Sequence, residues 1–397
     1  MTVIEKKEKQ KLNLFFIAEY LLCAVIVLCT FRQQESLVSA AFTGTFMLAL
    51  LWFGKMVFVD GRNKHMTVVF LTVVLSTIFV VASGVLNDED LNMAFLTNHL
   101  SFLSTVMFLF VIMNSEPDTR TGKIILIFNV FFAYSYFWAY RFIPRGDAFP
   151  MVYLNFTNPN LTGMWILQSV LYALVALVVL KSVLLKLLAA ISIPLNVWLI
   201  LQTEARNCIL TLLLFAVVCL WTALKQRPRF SKGLIMSVVL LPIAFVPVYL
   251  TYVKTIMSKG WFDFLIDEGK SLDSRVWVWQ ERLENIREVW LIGNYALAGG
   301  NAHNSHMVLL ASYGAIGLAL GIWLLYSVCV KVNEQLRSRK SLFALAAFFG
   351  VLFMGIGEGA LFSGGQGLFV MACGFLYLAR CDFGNDAALS LPWQKKK

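Results

Sequence analysis

An all-α protein that crosses a membrane many times is what this sequence predicts, and three observations carry the prediction. Hydrophobic residues make up 59% of the 397 and charged ones only 14%, against about 45–50% and about 25% in ordinary soluble domains. The apolar residues come in runs of about 20, the length that crosses a bilayer as a helix. Those runs lack the period-two alternation of an outer-membrane barrel, as ILTLLLFAVVCLWTAL from Ile209 to Leu224 illustrates. The composition excludes a disordered chain, a disulfide-rich secreted domain and most soluble enzymes.

Twelve segments meet the length requirement in chain order. They are 13–31, 37–54, 66–86, 91–114, 123–143, 161–180, 182–202, 207–225, 233–253, 309–331, 341–361 and 365–380. The first follows a basic stretch, yet no small-residue cleavage site follows it, so it reads as a retained helix. The chain is expected to be one integral membrane domain, 1–397, of about 12 transmembrane helices. Basic residues set the orientation, because they stay preferentially on the cytoplasmic side. With a cytoplasmic N-terminus, only ten of the 33 lysines and arginines fall outside: Arg32, Arg141, Arg145, Arg206, Lys254, Lys259, Lys270, Arg275, Arg282 and Arg287. Both termini are then cytoplasmic, and the net charge of +10 is topological, with no nucleic-acid partner needed. The seven cysteines form no metal-type cluster, and they read as small packing residues.

Chemistry should then lie on the outside face. The longest connection, 254–304, is a large extracytoplasmic loop between the ninth and tenth helices, and a loop of that length is usually functional. Within it SRVWVWQERLENIREVW, Ser274 to Trp290, reads as a helix. Trp279, Leu283, Ile286 and Trp290 share one face, so the helix should lie on the membrane surface, tryptophans down. Asp273 or Ser274 can cap it. Arg275 heads that apolar face, where a guanidinium needs an anion. It either snorkels, pairs with an aspartate, or clamps a phosphate. Arg206, in the short outside turn QTEARN, is flanked by two apolar runs, and ionisable groups so placed are functional candidates. Glu204 could simply pair with it.

A third region is NAHNSHMVLLASYGAIG, Asn301 to Gly317. His303 and His306 stand where the outer loop re-enters the membrane, and an imidazole suits general-base work. A His-x-x-His pair could also hold half a metal site, but no third ligand is evident, so no metal is expected. FTNPNLTG, Phe156 to Gly163, brings Asn158 and Asn160 to the start of the sixth helix. Asp88-Glu89-Asp90 is an acidic outside turn with the spacing of metal-dependent sugar transferases, though solvated acidic turns of this kind are far commoner. Glu358, before the flexible turn Gly364 to Gly367, is a further intramembrane charge that could pair with an arginine. Two arginines, a reactive histidine and a buried glutamate on one face suit a diphosphate whose lipid tail lies in the bilayer. The arginines would neutralise the leaving diphosphate, and His303 would take the proton from an incoming hydroxyl.

At these residues the chain resembles the O-antigen ligase and O-antigen polymerase (Wzy-type) superfamily of bacterial envelopes. The likeness is strongest over residues 200–320. The family signature is His, then Asn, Ser or Gln, nine residues, Gly, two residues, and Gly, Thr or Tyr. His303-Asn304 followed by nine residues, Gly314, Ala315-Ile316 and Gly317 matches it. Arg206 in TEARN and Arg275 in SRVWVW match the family's two essential arginines, and FTNPNLTG its Asn-Pro-Asn segment. The resemblance implies a GT-C-like, metal-independent, inverting glycosyltransferase that needs no cofactor. It implies a bacterial inner membrane location with the active site on the periplasmic face. His303, Arg206 and Arg275 would be catalytic, and Asn304, His306, Asn160, Glu358 and Arg282 would contact substrate. The donor would be an undecaprenyl-diphosphate-linked glycan, and the acceptor another lipid-linked repeat unit in a polymerase. A ligase would use lipid A-core instead. A twelve-helix transporter or flippase is the alternative of a different class.

Overall fold

The computed structural model describes residues 12–31, 35–61, 66–86, 93–142, 159–203, 205–225, 229–253, 255, 273–295, 303–359 and 368–384. Among these the chain is helical and has no strand. The helices are α1 (Leu14–Phe31), α2 (Glu35–Gly54, continued by a π turn Lys55–Val59), α3 (Met66–Leu86), α4 (Met93–Asn114) and α5 (Thr119–Phe142). They continue with α6 (Pro159–Val179), α7 (Val183–Gln202), α8 (Arg206–Lys225) and α9 (Lys232–Val248, continued by a π turn Tyr249–Val253). The last four are α10 (Asp273–Asn285), α11 (Ser305–Glu334), α12 (Arg339–Met354) and α13 (Leu368–Arg380). Asp88-Glu89-Asp90, Asn158, Glu204, Gly364 to Gly367 and, in the 254–304 loop, residues 254, 256–272 and 296–302 lie outside the described residues.

Each of the twelve apolar segments overlaps a helix. Among the described residues, six helices are long and apolar enough to cross a membrane: those in Ser36–Val59, Thr119–Phe142, Pro159–Val179, Val183–Gln202, Lys232–Thr251 and Ser305–Glu334. The chain is an α-helical membrane protein. Its helices divide into a buried set and an outer set. The spanning part of α6 is 83% buried and every residue of α13 is buried, while that of α7 is only 28% buried. The outward side chains of α7 and α8 include Leu184, Leu187, Ile191, Leu201, Leu210, Leu213, Val217 and Leu220. Apolar residues at helical spacing and open to the surroundings are what lipid requires and water does not favour.

Inside the bundle the helices are tied by hydrogen bonds between sequence-distant residues. Tyr20 Oη donates to Asn129 Oδ1 at 2.8 Å, joining α1 to α5. Gln168 Nε2 donates to the Leu368 carbonyl at 2.9 Å, and Tyr172 Oη to that of Met371, joining α6 to α13. A polar side chain buried in a bundle has to be satisfied there, so these contacts fix which faces meet.

Two of the helix ends that differ from the hydropathy pattern matter to the site. Segment 309–331 begins earlier, at Ser305, because Asn304 caps the helix: its Oδ1 accepts from the amides of His306 and Met307, each at 3.0 Å. Segment 341–361 stops earlier, at Met354. Gly355 ends the helix, and a tight turn through Gly357 carries the chain to Glu358.

Candidate functional site

Four helix ends meet at one end of the bundle. They are the starts of α6, α8 and α11 and the turn after α12, with α9 joining along its second half from Pro242 to Tyr249. Asn304 is the fastener. Its Nδ2 donates to the Pro242 carbonyl at 2.8 Å and to that of Ile356 at 3.0 Å, so one amide joins α9, α11 and the 355–358 turn. Ser305 adds two bonds to the same turn, its amide to the Gly355 carbonyl and its hydroxyl to the Glu358 carbonyl, both at 2.8 Å. The Glu358 backbone is therefore held from both sides.

The Glu358 carboxylate lies between the two groups that the sequence singled out. Arg275 Nη2 is 3.6 Å from Oε1, and His303 Nδ1 is 3.7 Å from Oε2. Glu358 is 5% exposed, whereas the Arg275 and His303 side chains each keep 27%. The cluster is thus a buried anion with two partners that reach the surface. A buried carboxylate is costly without a cation beside it, so the pairing that the sequence left open is observed. His303 has a φ of 47°, the one left-handed non-glycine residue among those described. Such a conformation costs of order 1–3 kcal/mol and needs a rigid surrounding to hold it. Asn304 and Ser305, fully buried and bonded, supply that rigidity.

Arg206 begins α8 with an exposed side chain, and its neighbour Asn207 reaches the cluster. A methyl group at Gly357 would lie 1.7 Å from Asn207 Nδ2, so the amide rests directly on the turn that carries Glu358. That amide nitrogen is buried without a hydrogen-bond partner among the described residues. The Cys208 thiol is within electrostatic reach of Glu358. α6 joins from the other side. A methyl at Gly163 would lie 2.6 Å from Ala205 Cβ and 3.0 Å from Thr203 Oγ1, so the α6 start, with Asn160, abuts the turn before Arg206. Asn207 was missed in the sequence because it follows the more conspicuous Arg206.

The structure corrects the reading of the loop helix. α10 does run from Asp273, but it ends at Asn285. Trp279 does not face lipid: it is 1% exposed and packs edge-on against Tyr249 at 5.1 Å, beside Val246, Val276, Met307 and Val308. Leu283 and Trp290 turn outward, at 36% and 55% exposed. Periodicity identified an apolar face but not its partner, and the helix stops before Trp290 can continue the stripe. Burying one such indole is worth about 3 kcal/mol gross, which anchors α10 and aims Arg275 at Glu358. Arg282 lies two turns further along α10, about 10 Å by helical rise.

The two motif glycines have a structural use. Gly314, at φ 64°, breaks the helical path of α11. The chain from Trp290 to Asn294 docks into that break: Ala315 N donates to the Trp290 carbonyl at 2.8 Å and Asn294 N to that of Ala311 at 2.7 Å. A Cβ at Gly314 would lie 2.3 Å from the Leu291 carbonyl, and one at Gly293 would lie 2.4 Å from Gly314 N. Only glycine permits this approach of two backbones. Gly317 makes room for Tyr313, whose hydroxyl meets His99 Nδ1 at 3.3 Å.

Asn304 and His306 are fully buried, at 0% exposed. His306 faces α9, at the backbone of Val239. Asn304 therefore holds the turn, while His306 packs against α9. Among the described residues no three His, Cys, Asp or Glu side chains gather at a point that could hold a metal. No family model matches the chain, and no curated protein matches it.

Proposed function

We propose that this chain is a membrane glycosyltransferase that polymerises undecaprenyl-diphosphate-linked repeat units into O-antigen or another surface polysaccharide. It would cross the bacterial inner membrane twelve times, with both termini cytoplasmic and the Glu358 cluster on the outer side. The observation that carries this reading is the convergence of Arg275 and His303 on Glu358, with the Arg206–Asn207 turn alongside. Alternating helix direction supports the topology, since the starts of α6, α8 and α11 then share a face with the second half of α9 and the end of α12. The signature from His303 to Gly317 supports the family, and the polar groups gather at one end, unlike the mid-membrane sites of transporters.

The chemistry follows from the geometry. The acceptor hydroxyl oxygen bonds to the anomeric carbon as the bond from that carbon to the diphosphate oxygen breaks. Attack opposite the leaving group inverts the centre. The hydroxyl proton passes to His303 Nε2, the nitrogen turned away from Glu358, and the electron pair leaves with the diphosphate. Arg206 and Arg275 meet the charge that grows on that diphosphate. Glu358 orients the imidazole and the Arg275 guanidinium together. At 3.7 Å the His303 contact is longer than a hydrogen bond, and such contacts tighten in the substrate complex.

The test is reconstitution of the full chain in vesicles with a defined lipid-linked repeat unit. A ladder of products without added acceptor is the expected result. Transfer only when lipid A-core is supplied would make it a ligase, and no transfer by folded protein in either case would overturn the proposal.

A further inference from the structure

We propose that the chain also binds the phosphate headgroup of an anionic lipid, at the end of the bundle opposite Glu358. This goes beyond the glycosyl-transfer reading and does not depend on it. A cavity of about 680 Å³ opens there between the ends of α4, α11 and α13 and the residues that precede α9. Arg229, Lys331, Arg337 and Arg380 line it, against two carboxylates, Glu116 and Glu334. Glu334 is already met by Lys232 at 3.2 Å, a residue outside the lining. The balance inside the cavity is therefore positive.

Arg380 forms its wall. It is 4% exposed, and it donates to Gln335 Oε1 at 2.6 Å, to Ser115 Oγ at 3.3 Å and to the carbonyls of Ile112 and Ser115. These acceptors are neutral, and they position the guanidinium. Lys331 and Arg380 lie in the last turns of helices, so part of their charge offsets the helix dipoles. Arg229 and Arg337, both exposed on the rim, have no such use and remain to attract an anion. Basic pockets between the ends of membrane helices take lipid headgroups for this reason. A lipid is favoured over a soluble phosphate by Phe58 and Val59, which stand beside the lining residue Gly61. They are 84% and 76% exposed, an apolar surface for acyl chains where the headgroup would sit.

Native mass spectrometry of the full chain tests this with phosphatidylglycerol, phosphatidylcholine and inorganic phosphate as probes. Wild type should retain phosphatidylglycerol over phosphatidylcholine. The Arg229→Gln/Arg337→Gln double variant should retain about tenfold less. Lys181→Gln/Lys186→Gln removes the same charge at the start of α7, away from the cavity, and should retain wild-type levels. Equal retention by wild type and the Arg229/Arg337 variant, or an equal loss in both double variants, would overturn the site. Displacement of the lipid by millimolar inorganic phosphate would overturn the lipid as its occupant.

Discussion

The Glu358 cluster and the Arg380 cluster stand at opposite ends of α11, and both take charge out of water. They balance it differently. Among the described residues Arg380 donates to a serine, a glutamine and two carbonyls, and these four acceptors are neutral. Its position is fixed, and nothing in that set can exchange a proton or change partner. Glu358 is instead met by two ionisable groups that keep a quarter of their surface. Each can leave the carboxylate for a ligand. The first arrangement suits a wall, and the second suits chemistry. The distinction lies in the partners, since both central residues are equally hidden.

Substitutions at the two centres should separate these roles. Glu358→Gln keeps the shape and removes the anion. Transfer activity should fall by about a hundredfold or more, measured with lipid-linked donor in vesicles. The melting temperature should move less than this implies, because Arg275 and His303 can be solvated once released. Arg380→Gln should show the reverse emphasis. It takes one of two donors from the Ile112 carbonyl, which the Ser115 hydroxyl also reaches, and removes a donor from the Ser115 carbonyl, at a cost of about 2 kcal/mol, read as a melting temperature lower by several degrees. Arg206→Lys and Arg275→Lys keep charge but lose the planar fork, and each should reduce transfer by roughly tenfold. The smallest effect expected is that of a chelator. Transfer should be unchanged by it, because the two arginines supply the positive charge that the diphosphate needs. Abolition by chelator with rescue by a divalent ion would return Asp88 and Asp90 to consideration.

The helices were legible because an apolar run of bilayer length seldom occurs outside a membrane helix. Their ends were less so. Hydropathy starts the tenth segment at 309, but the helix begins at Ser305, since a cap such as Asn304 is polar and leaves no hydropathy trace. Arg275, His303 and Glu358 were each legible as charges or imidazole at a membrane boundary. Their meeting was not, because it depends on Trp279 seating α10 against Tyr249 and on Gly355 ending α12 early. The motif glycines were readable as a signature but not as a mechanism. That Gly314 opens α11 to the backbone of residues 290–294 needs the partner segment to be seen. Two buried polar residues gave no signal at all. Glu19 is fully enclosed in α1, with neither carboxyl oxygen bonded among the described residues. His99 bonds Thr77 at 3.1 Å as well as Tyr313. Each is a single polar residue in an apolar run, without a spacing that marks it.

Whether His303, held by Glu358, is the base of a glycosyl transfer decides between these readings of the two ends. The direct measurement is the initial rate of chain extension by wild type and by His303→Ala, both reconstituted in vesicles with a defined lipid-linked repeat unit and matched for folded protein. A ladder is expected from wild type, with a rate lower by about a hundredfold or more in the variant. Extension at the wild-type rate by folded His303→Ala protein would contradict that role.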